Sequence, residues 1–452
     1  MANLHTSLQP ASVDAVSQGP VQGLAPLSVP LSAETSAQPR ASKFALIAAT
    51  TLGNGLEMFD FTIYSFFAVL IGKLFFPSHT AFGSLLMAVA TFGIGFVMRP
   101  LGGILIGNYA DRAGRKAAMT LTIALMALGT ALIGLAPTYA QIGLFAPLLI
   151  VLGRLLQGFS AGGEIGASTT LLMESGVQST RGFLVSWQLA SQGAAALVGA
   201  LSGFLLSHFL APADLESWGW RIPFLCGLLI GPVGLYIRRA LHETHQATSR
   251  ESSAFREVMA HHGRQVCVGI LMIVGGTASM YIVVFYMPTY LIRVLHMPPG
   301  TAFLSGCVAG AVLLIGSPLA GLLSDRLPRR KPLVVGATVL GAVLIYPAFW
   351  LLNHTAQLGV ALTVIAALVG CLALGSSSGF LILMEGFPKH VRATGLSVVY
   401  SIGVSVFGGF AQFIVTWLIS TTGNPMSPAW YMVTCSAVSL GALAVLKEHR
   451  AD

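Results

Sequence analysis

The sequence predicts an all-helical membrane protein, with twelve transmembrane helices in two pseudo-symmetric six-helix halves. Three observations carry this. First, 55% of the 452 residues are hydrophobic and 9% charged, whereas a soluble domain carries about 25% charged residues. So little charge cannot clothe a water-facing surface of this size, and the mean hydropathy of +0.79 agrees. Second, apolar runs of about 20 residues recur from Lys43 onward, the length that crosses a hydrocarbon core of about 30 Å. Third, a charged loop motif occurs twice, half a chain apart. A soluble enzyme, a nucleic-acid binder and a secreted disulfide scaffold are thereby excluded. The net charge of +8 lies between apolar spans and reads as topology.

Residues 1–42 are rich in Ala, Ser, Pro and Gln and hold nothing that buries a core, so they read as a disordered cytoplasmic tail. They lack the basic start and apolar run of a signal peptide. The spans then fall at 44–72, 81–107, 118–136, 143–172, 181–207 and 219–238. After a longer loop at 239–264, they continue at 265–292, 301–323, 333–352, 357–385, 393–418 and 428–447. Residues 43–238 and 265–452 are the two halves, and 239–264 is a cytoplasmic linker. The alternating ten-residue segments of a membrane β-barrel are absent.

With the N-terminus inside, 19 of the 24 Lys and Arg fall on cytoplasmic segments and only Lys73 and Arg293 on outer loops. This bias places both termini in the cytoplasm. Cys226, Cys267, Cys307, Cys371 and Cys435 lie far apart in apolar stretches and read as reduced core residues.

The halves repeat. Gly107-Asn-Tyr-Ala-Asp111-Arg112-Ala-Gly114-Arg115-Lys116 follows the second span, and Gly321-Leu-Leu-Ser-Asp325-Arg326-Leu-Pro328-Arg329-Arg330-Lys331 follows the eighth. The two Asp positions are 214 residues apart. Glu174 and Arg181 recur as Glu385 and Arg392, 211 residues on. Two motifs at nearly one offset indicate a six-plus-six duplication. Two such halves around a central cavity make an alternating-access carrier.

Several polar residues stand inside the spans. Glu57 and Asp60 are i, i+3 in the first span, about 20–25 Å along the helix from its cytoplasmic start. An ionised carboxylate at mid-membrane costs about 2.5–3.5 kcal/mol even on the mild insertion scale, so each asks for a reason. Proton or cation coupling is one reading, and a carboxylate locked to a buried Arg is the other. Arg99 and Arg154 offer permanent charge and a planar fork matched to carboxylate oxygens. They read either as substrate-anion ligands or as internal partners of Glu57, Asp60 or Glu164. Glu164 itself is either a coupling site or a buried relay, beside Gly162-Gly163, where another backbone approaches closely. Gln188 and Gln192, with Ser191, and the group Tyr286, Thr289 and Tyr290 are neutral faces for substrate contact or interhelical hydrogen bonding. Pro288 is expected to kink the seventh span. Arg221, at the outer edge of the sixth, reads as a packing residue.

The loop motif Gly-x-x-x-Asp-Arg-x-Gly-Arg-Lys resembles the signature of the major facilitator superfamily, over residues 43–447. Gly55-Leu-Glu57-Met-Phe-Asp60-Phe61, Met98-Arg99-Pro100-Leu-Gly102, Gly153-Arg154-Leu-Leu-Gln157-Gly158-Phe-Ser-Ala-Gly162-Gly163-Glu164 and Trp218-Gly219-Trp220-Arg221-Ile-Pro223-Phe224 resemble its metabolite:proton symporter family. Ser186-Trp187-Gln188-Leu-Ala-Ser191-Gln192, Tyr286-Met-Pro288-Thr289-Tyr290 and the stretch from Thr422-Gly423 to Ser427-Pro428-Ala-Trp430 look most like citrate and tricarballylate carriers. Pro328 departs from the loop pattern, where the first half has Gly114. The resemblance implies that Asp111, Arg112, Arg115, Asp325, Arg326 and Arg330 latch the cytoplasmic side in the outward-open state, supported by Glu174–Arg181 and Glu385–Arg392.

The expected function is secondary active import of a small carboxylate, citrate or a related tricarboxylate, by cation symport across a bacterial inner membrane. Arg154, Arg99, Gln188, Gln192 and Tyr286 are the expected substrate residues, and Glu57, Asp60 and Glu164 the coupling residues. Moving a trianion against an inside-negative potential of 100 mV costs about 7 kcal/mol, so cations should accompany it. A dicarboxylate, a zwitterion such as proline or betaine, and sodium in place of protons remain open. No phosphate-binding loop, hydrolase elbow, metal-ligand motif or mid-span histidine appears. No enzymatic activity, cofactor or nucleic-acid partner is therefore expected. The chain is expected to work as a monomer in the bilayer.

Overall fold

The computed structural model describes residues 43–80, 82–113, 115–162, 164–229, 232, 251–355, 357–446 and 448. Helices dominate because no other element hides its backbone in hydrocarbon. Their order is α1 (Lys43–Phe66), α2 (Ala68–Phe75), α3 (Gly83–Ala113), α4 (Arg115–Gly134), α5 (Phe145–Ser160), α6 (Glu164–Glu174), α7 (Arg181–Phe209) and α8 (Arg221–Gly227). In the second half follow α9 (Glu251–His261), α10 (Gly263–Arg293), α11 (Pro299–Arg326), α12 (Lys331–Thr355), α13 (Leu358–Glu385), α14 (Arg392–Thr422) and α15 (Ser427–Val445). Large apolar side chains such as Leu148, Ile315, Leu319, Val343 and Trp417 remain exposed around the bundle, a belt that calls for lipid.

Three expectations are corrected. The first span is not one helix: α1 and α2 meet at Phe67 with a 63° bend. The fourth is described as two helices, α5 ending at Ser160 and α6 starting at Glu164, with turn at Ala161 and Gly162, where glycine lowers helix propensity. Among the described residues, nine helices are long and apolar enough to span alone, and ten if the bent pair counts as one. Shortness puts α5 outside that set, and the described part of the sixth span is α8. The linker at 239–264 carries a helix, α9, which buries Ala254 and Val258. Pro288 falls inside one span, Gly263–Arg293. A π-helical segment, Met280–Tyr286, precedes it and widens the helix where the proline ring would meet the preceding turn. A second π segment, Ser405–Gly409, lies in α14.

Two glycine-lined contacts position everything else. Between α3 and α5, a Cβ on Gly158 would collide with the Gly95 carbonyl, and one on Gly162 with the Arg99 carbonyl. This close approach brings Arg99 and Arg154 into one layer. Between the halves, α7 and α11 run together along their length. There a Cβ on Gly193 would lie 2.8 Å from the Gly310 carbonyl oxygen, and one on Gly321 2.6 Å from that of Gly182.

Candidate functional site at the junction of the halves

Pro100 sits inside α3 and has no N–H for the carbonyl of Phe96, one turn back. Ser405 of α14 donates to that carbonyl at 2.6 Å, so a helix defect in one half becomes a tie to the other. Beside it lies Arg99, 2% exposed. Its guanidinium carbon is 4.3 Å from the ring centre of Phe96 and 4.7 Å from that of Phe61. Nη2 of Arg99 is 3.9 Å from Oε1 of Glu57, long for an ion pair. Nε and Nη2 form the edge of the fork that takes a carboxylate side-on. Neither has a hydrogen-bond acceptor among the described residues.

Arg154 is placed differently. It is fully buried, with its guanidinium carbon 4.5, 4.7 and 4.9 Å from the ring centres of Phe61, Tyr64 and Phe92. Nη1 donates to Gln157 Oε1 at 2.8 Å, and Nη2 reaches the Phe92 carbonyl at 3.4 Å. Nε2 of Gln157 donates to Thr130 Oγ1 at 3.0 Å and approaches Asp60 Oδ2 at 3.5 Å. Thr130 Oγ1 also donates to Asp60 Oδ2. Gln157 therefore bridges Arg154 and Asp60 inside the first half. Glu57 and Asp60 do not share one environment: Glu57 faces Arg99, and Asp60 faces α4 and α5.

The second half contributes Tyr281, from the π segment, and Tyr400, from α14. Tyr281 packs edge-on against Phe96 and Phe92, with ring centres 5.5 and 6.2 Å apart. Both phenols stand within electrostatic range of Arg99 and Glu57. Both also line a cavity of about 170 Å³, together with Gln192, Thr338, Ser376 and Phe380. Gln192 lies beside Tyr400, and its Nε2 has no acceptor among the described residues.

The remaining neutral candidates are engaged elsewhere. Gln188 and Asn54 exchange hydrogen bonds: Gln188 Nε2 donates to Asn54 Oδ1 at 2.9 Å, and Asn54 Nδ2 reaches the Gln188 carbonyl at 3.2 Å. Asn54 also donates to Ser191 Oγ at 2.5 Å. The Tyr286 hydroxyl accepts from Thr416 at 2.8 Å, and that of Tyr290 donates to the Pro425 carbonyl at 2.9 Å, so this face packs into the second half. Arg221 donates to the carbonyls of Ser217 and Ala136 and covers the Trp220 ring.

The halves touch at both ends of the bundle. At the motif end, the Asp325 carboxylate accepts from the N–H groups of Gly182 and Phe183 at the start of α7. Arg330 pairs with Glu385 at 2.6 Å, so Glu385 is not reserved for Arg392. Arg392 donates to the Met384 carbonyl at 2.9 Å and lies in the field of Glu174 as well as Glu385. Arg326 is exposed, and Arg181 Nε has no acceptor among the described residues. Towards the opposite end, Gln412 donates to Ser65 at 2.7 Å, and Ser65 to the Phe285 carbonyl at 3.2 Å. The side chains of Asp111, Arg112, Arg115 and Glu164 lie outside the described residues.

Sequence reasoning missed Gln157, Thr130, Asn54, Tyr281, Tyr400, Ser65 and Gln412. Only Gln157 carried a local signal, standing i+3 from Arg154 on one helix face.

Residues 50–412 match the model of the Major Facilitator Superfamily. The chain is 38% identical over 414 residues to the citrate-proton symporter of Klebsiella pneumoniae, covering 91% of this chain and 93% of the relative. It is 34% identical over 419 residues to the proline/betaine transporter of Escherichia coli K12, covering 89% of this chain and 83% of that one. Among solved structures, the xylose transporter from E. coli aligns with a TM-score of 0.73 at 17% identity, over 91% of this chain and 99% of that one. Family model, relatives and shared architecture agree: the chain belongs to the Major Facilitator Superfamily.

Proposed function

We propose that this protein imports a small carboxylate, citrate or a related tricarboxylate, together with protons across a bacterial inner membrane, with both termini in the cytoplasm and as a monomer. One observation carries the reading: the Nε–Nη2 edge of Arg99 is buried without an acceptor at the junction of the halves. Its nearest anionic partner, Glu57, is held at a long 3.9 Å. A carboxylate entering from the cavity competes with Glu57 for that edge. Glu57 gives up its share by taking a proton, and the proton then travels with the substrate. Binding and proton uptake become one event, as symport requires. Gln192 supplies a further donor. Asp60 is a second proton site, held by Thr130 and Gln157, and Arg154 supports it rather than the substrate. The 38% identity to a protein named as a citrate-proton symporter supports the choice of substrate. Asp325 with Gly182 and Phe183, and Arg330 with Glu385, form the cytoplasmic latch.

A matched cation and anion in one site also suit a zwitterion, and the 34% identity to a protein named as a proline/betaine transporter favours that as the second reading. Proteoliposomes offered labelled citrate, tricarballylate, 2-oxoglutarate or proline decide the matter, with pH and sodium gradients imposed separately. The proposal expects uphill citrate uptake under an inward proton gradient alone. Accumulation of proline without any carboxylate would replace it with the zwitterion reading. A sodium requirement would reassign the cation.

A further inference from the structure

This inference rests on the carboxylate reading and refines it. The cavity, lined by the second half apart from Leu189 and Gln192, is chemically one-sided. No Asp, Glu, Lys, Arg or His stands among its described lining residues. The second half offers it the hydroxyls of Tyr281, Tyr400 and six Ser and Thr residues, Thr338 and Ser376 among them, and otherwise mainly apolar surface. Two cations lie in the field of its phenols: Arg99 has both Nε and Nη2 open, whereas the fork of Arg154 serves Gln157 and the Phe92 carbonyl and leaves only Nε. Besides Arg154 Nε, enclosed by three rings, the buried donors without acceptors among the residues described at this site are Arg99 Nε, Arg99 Nη2 and Gln192 Nε2. That set matches the two oxygens of a single carboxylate. A second ionised carboxylate on the same substrate would face hydroxyls and hydrocarbon.

We infer that the site carries its substrate with one ionised carboxylate, at Arg99, and with every further carboxyl group in its neutral, protonated form. Magnitudes decide between the alternatives. Holding an ordinary carboxyl, of pKa about 4.3, in its neutral form at pH 6 costs about a fiftyfold factor in population. Leaving an ionised carboxylate unpaired in a desolvated site costs roughly a hundredfold to several thousandfold. Protonation therefore wins on the mildly acidic side of a membrane. A neutral carboxyl both donates and accepts, and the hydroxyl-lined wall answers both roles. Some of the symported protons then ride on the substrate itself, in addition to the one on Glu57. The accepted class is a carboxylate with one charged end and a neutral polar remainder, and a tricarboxylate enters it by protonation.

The test compares citrate with its 1,5-diamide, whose amides match neutral carboxyls in size and cannot ionise. Affinities for the purified full-length protein are measured by calorimetry at pH 7.5 and pH 5.5. Both compounds meet the same protonation state of the protein at each pH, so their ratio isolates the protons on the substrate. The diamide is expected to bind at least tenfold more tightly than citrate at pH 7.5, with the ratio falling at least tenfold at pH 5.5. Citrate binding as tightly as the diamide at pH 7.5, or a ratio that does not change with pH, overturns the inference. If neither compound binds at either pH while the protein melts cooperatively, the underlying carboxylate reading fails and this inference with it.

Discussion

The Asp325 carboxylate accepts the backbone N–H of Gly182 at 2.7 Å, and so ties the end of α11 to the start of α7 in the other half. The free N–H groups of a helix start favour negative charge by about 0.3–1 kcal/mol, and by up to about 2 in partly buried settings. Asp325→Asn keeps an acceptor and removes the charge. It should weaken the seal at that end by about 1 kcal/mol, a fivefold shift in population. Maleimide labelling of a cysteine placed at Ser186, buried on α7 one turn beyond Gly182, should rise accordingly. Unchanged labelling in both Asp325→Asn and Asp325→Ala would remove Asp325 from the seal.

Arg99 and Arg154 should separate in their response to lysine. Arg99→Lys keeps the charge and loses the side-on edge, and loss of such a contact in a desolvated site costs about 2–5 kcal/mol. Citrate affinity should drop at least tenfold with the melting temperature little changed. Arg154→Lys should lower the melting temperature instead, because it empties the contact with Gln157 and three rings. Calorimetry and thermal melts on both variants check this. The reverse pattern would return the substrate to Arg154.

Gln157→Leu leaves the Arg154 Nη1 donor without its acceptor and Asp60 with Thr130 alone. A buried polar group stripped of its partner costs about 1–3 kcal/mol. The variant should lose that much stability in denaturant unfolding. In Asp60→Asn, pH-driven accumulation should vanish while substrate exchange survives, because exchange releases no proton. Normal uphill uptake by Asp60→Asn would exclude it as a proton site.

Outside the membrane, His390 Nε2 lies 2.7 Å from Glu257 Oε1 and ties α9 to the turn before α14. The hydrogen bond to His390 is the largest cause holding the Glu257 carboxyl below its ordinary value of 4.5. A depressed carboxyl contributes its contact fully above that ordinary value and loses it as pH falls through the depressed one. Hydrogen exchange in α9, once corrected for intrinsic rates, should therefore rise as pH falls below about 4.5. Glu257→Gln should abolish that acid step. A step persisting in Glu257→Gln would assign it to another group.

Much of the bundle was legible in the sequence because hydrocarbon imposes a length and a charge rule on each span separately. The duplicated motif revealed the halves for the same reason: each copy is local. What stayed hidden was azimuth. Arg99 and Arg154 sit at similar depth, yet one presents an open edge at the junction and the other is wrapped by three rings of its own half. Only the glycine contact between α3 and α5 determines which is which. The bend at Phe67 has no breaker residue, and its ring packs against Phe303 of α11, 5.6 Å between centres, so tertiary contact sets it. Tyr281 and Tyr400 look in sequence like any aromatic in an apolar span. Their role comes from docking against the other half, as do the ties of Ser65 to Gln412 and Ser405 to Phe96.

The glycine-lined seam between α7 and α11 has a mechanical consequence. Helices packed through large side chains interlock as ridges in grooves, and must unmesh before they turn against each other. Where Gly182 meets Gly321 and Gly193 meets Gly310, the seam sets backbone against backbone, with no teeth to disengage at those points. The pair behaves as a plain bearing. One helix can roll on the other through a small angle while the contact of Gly193 with Gly310 persists.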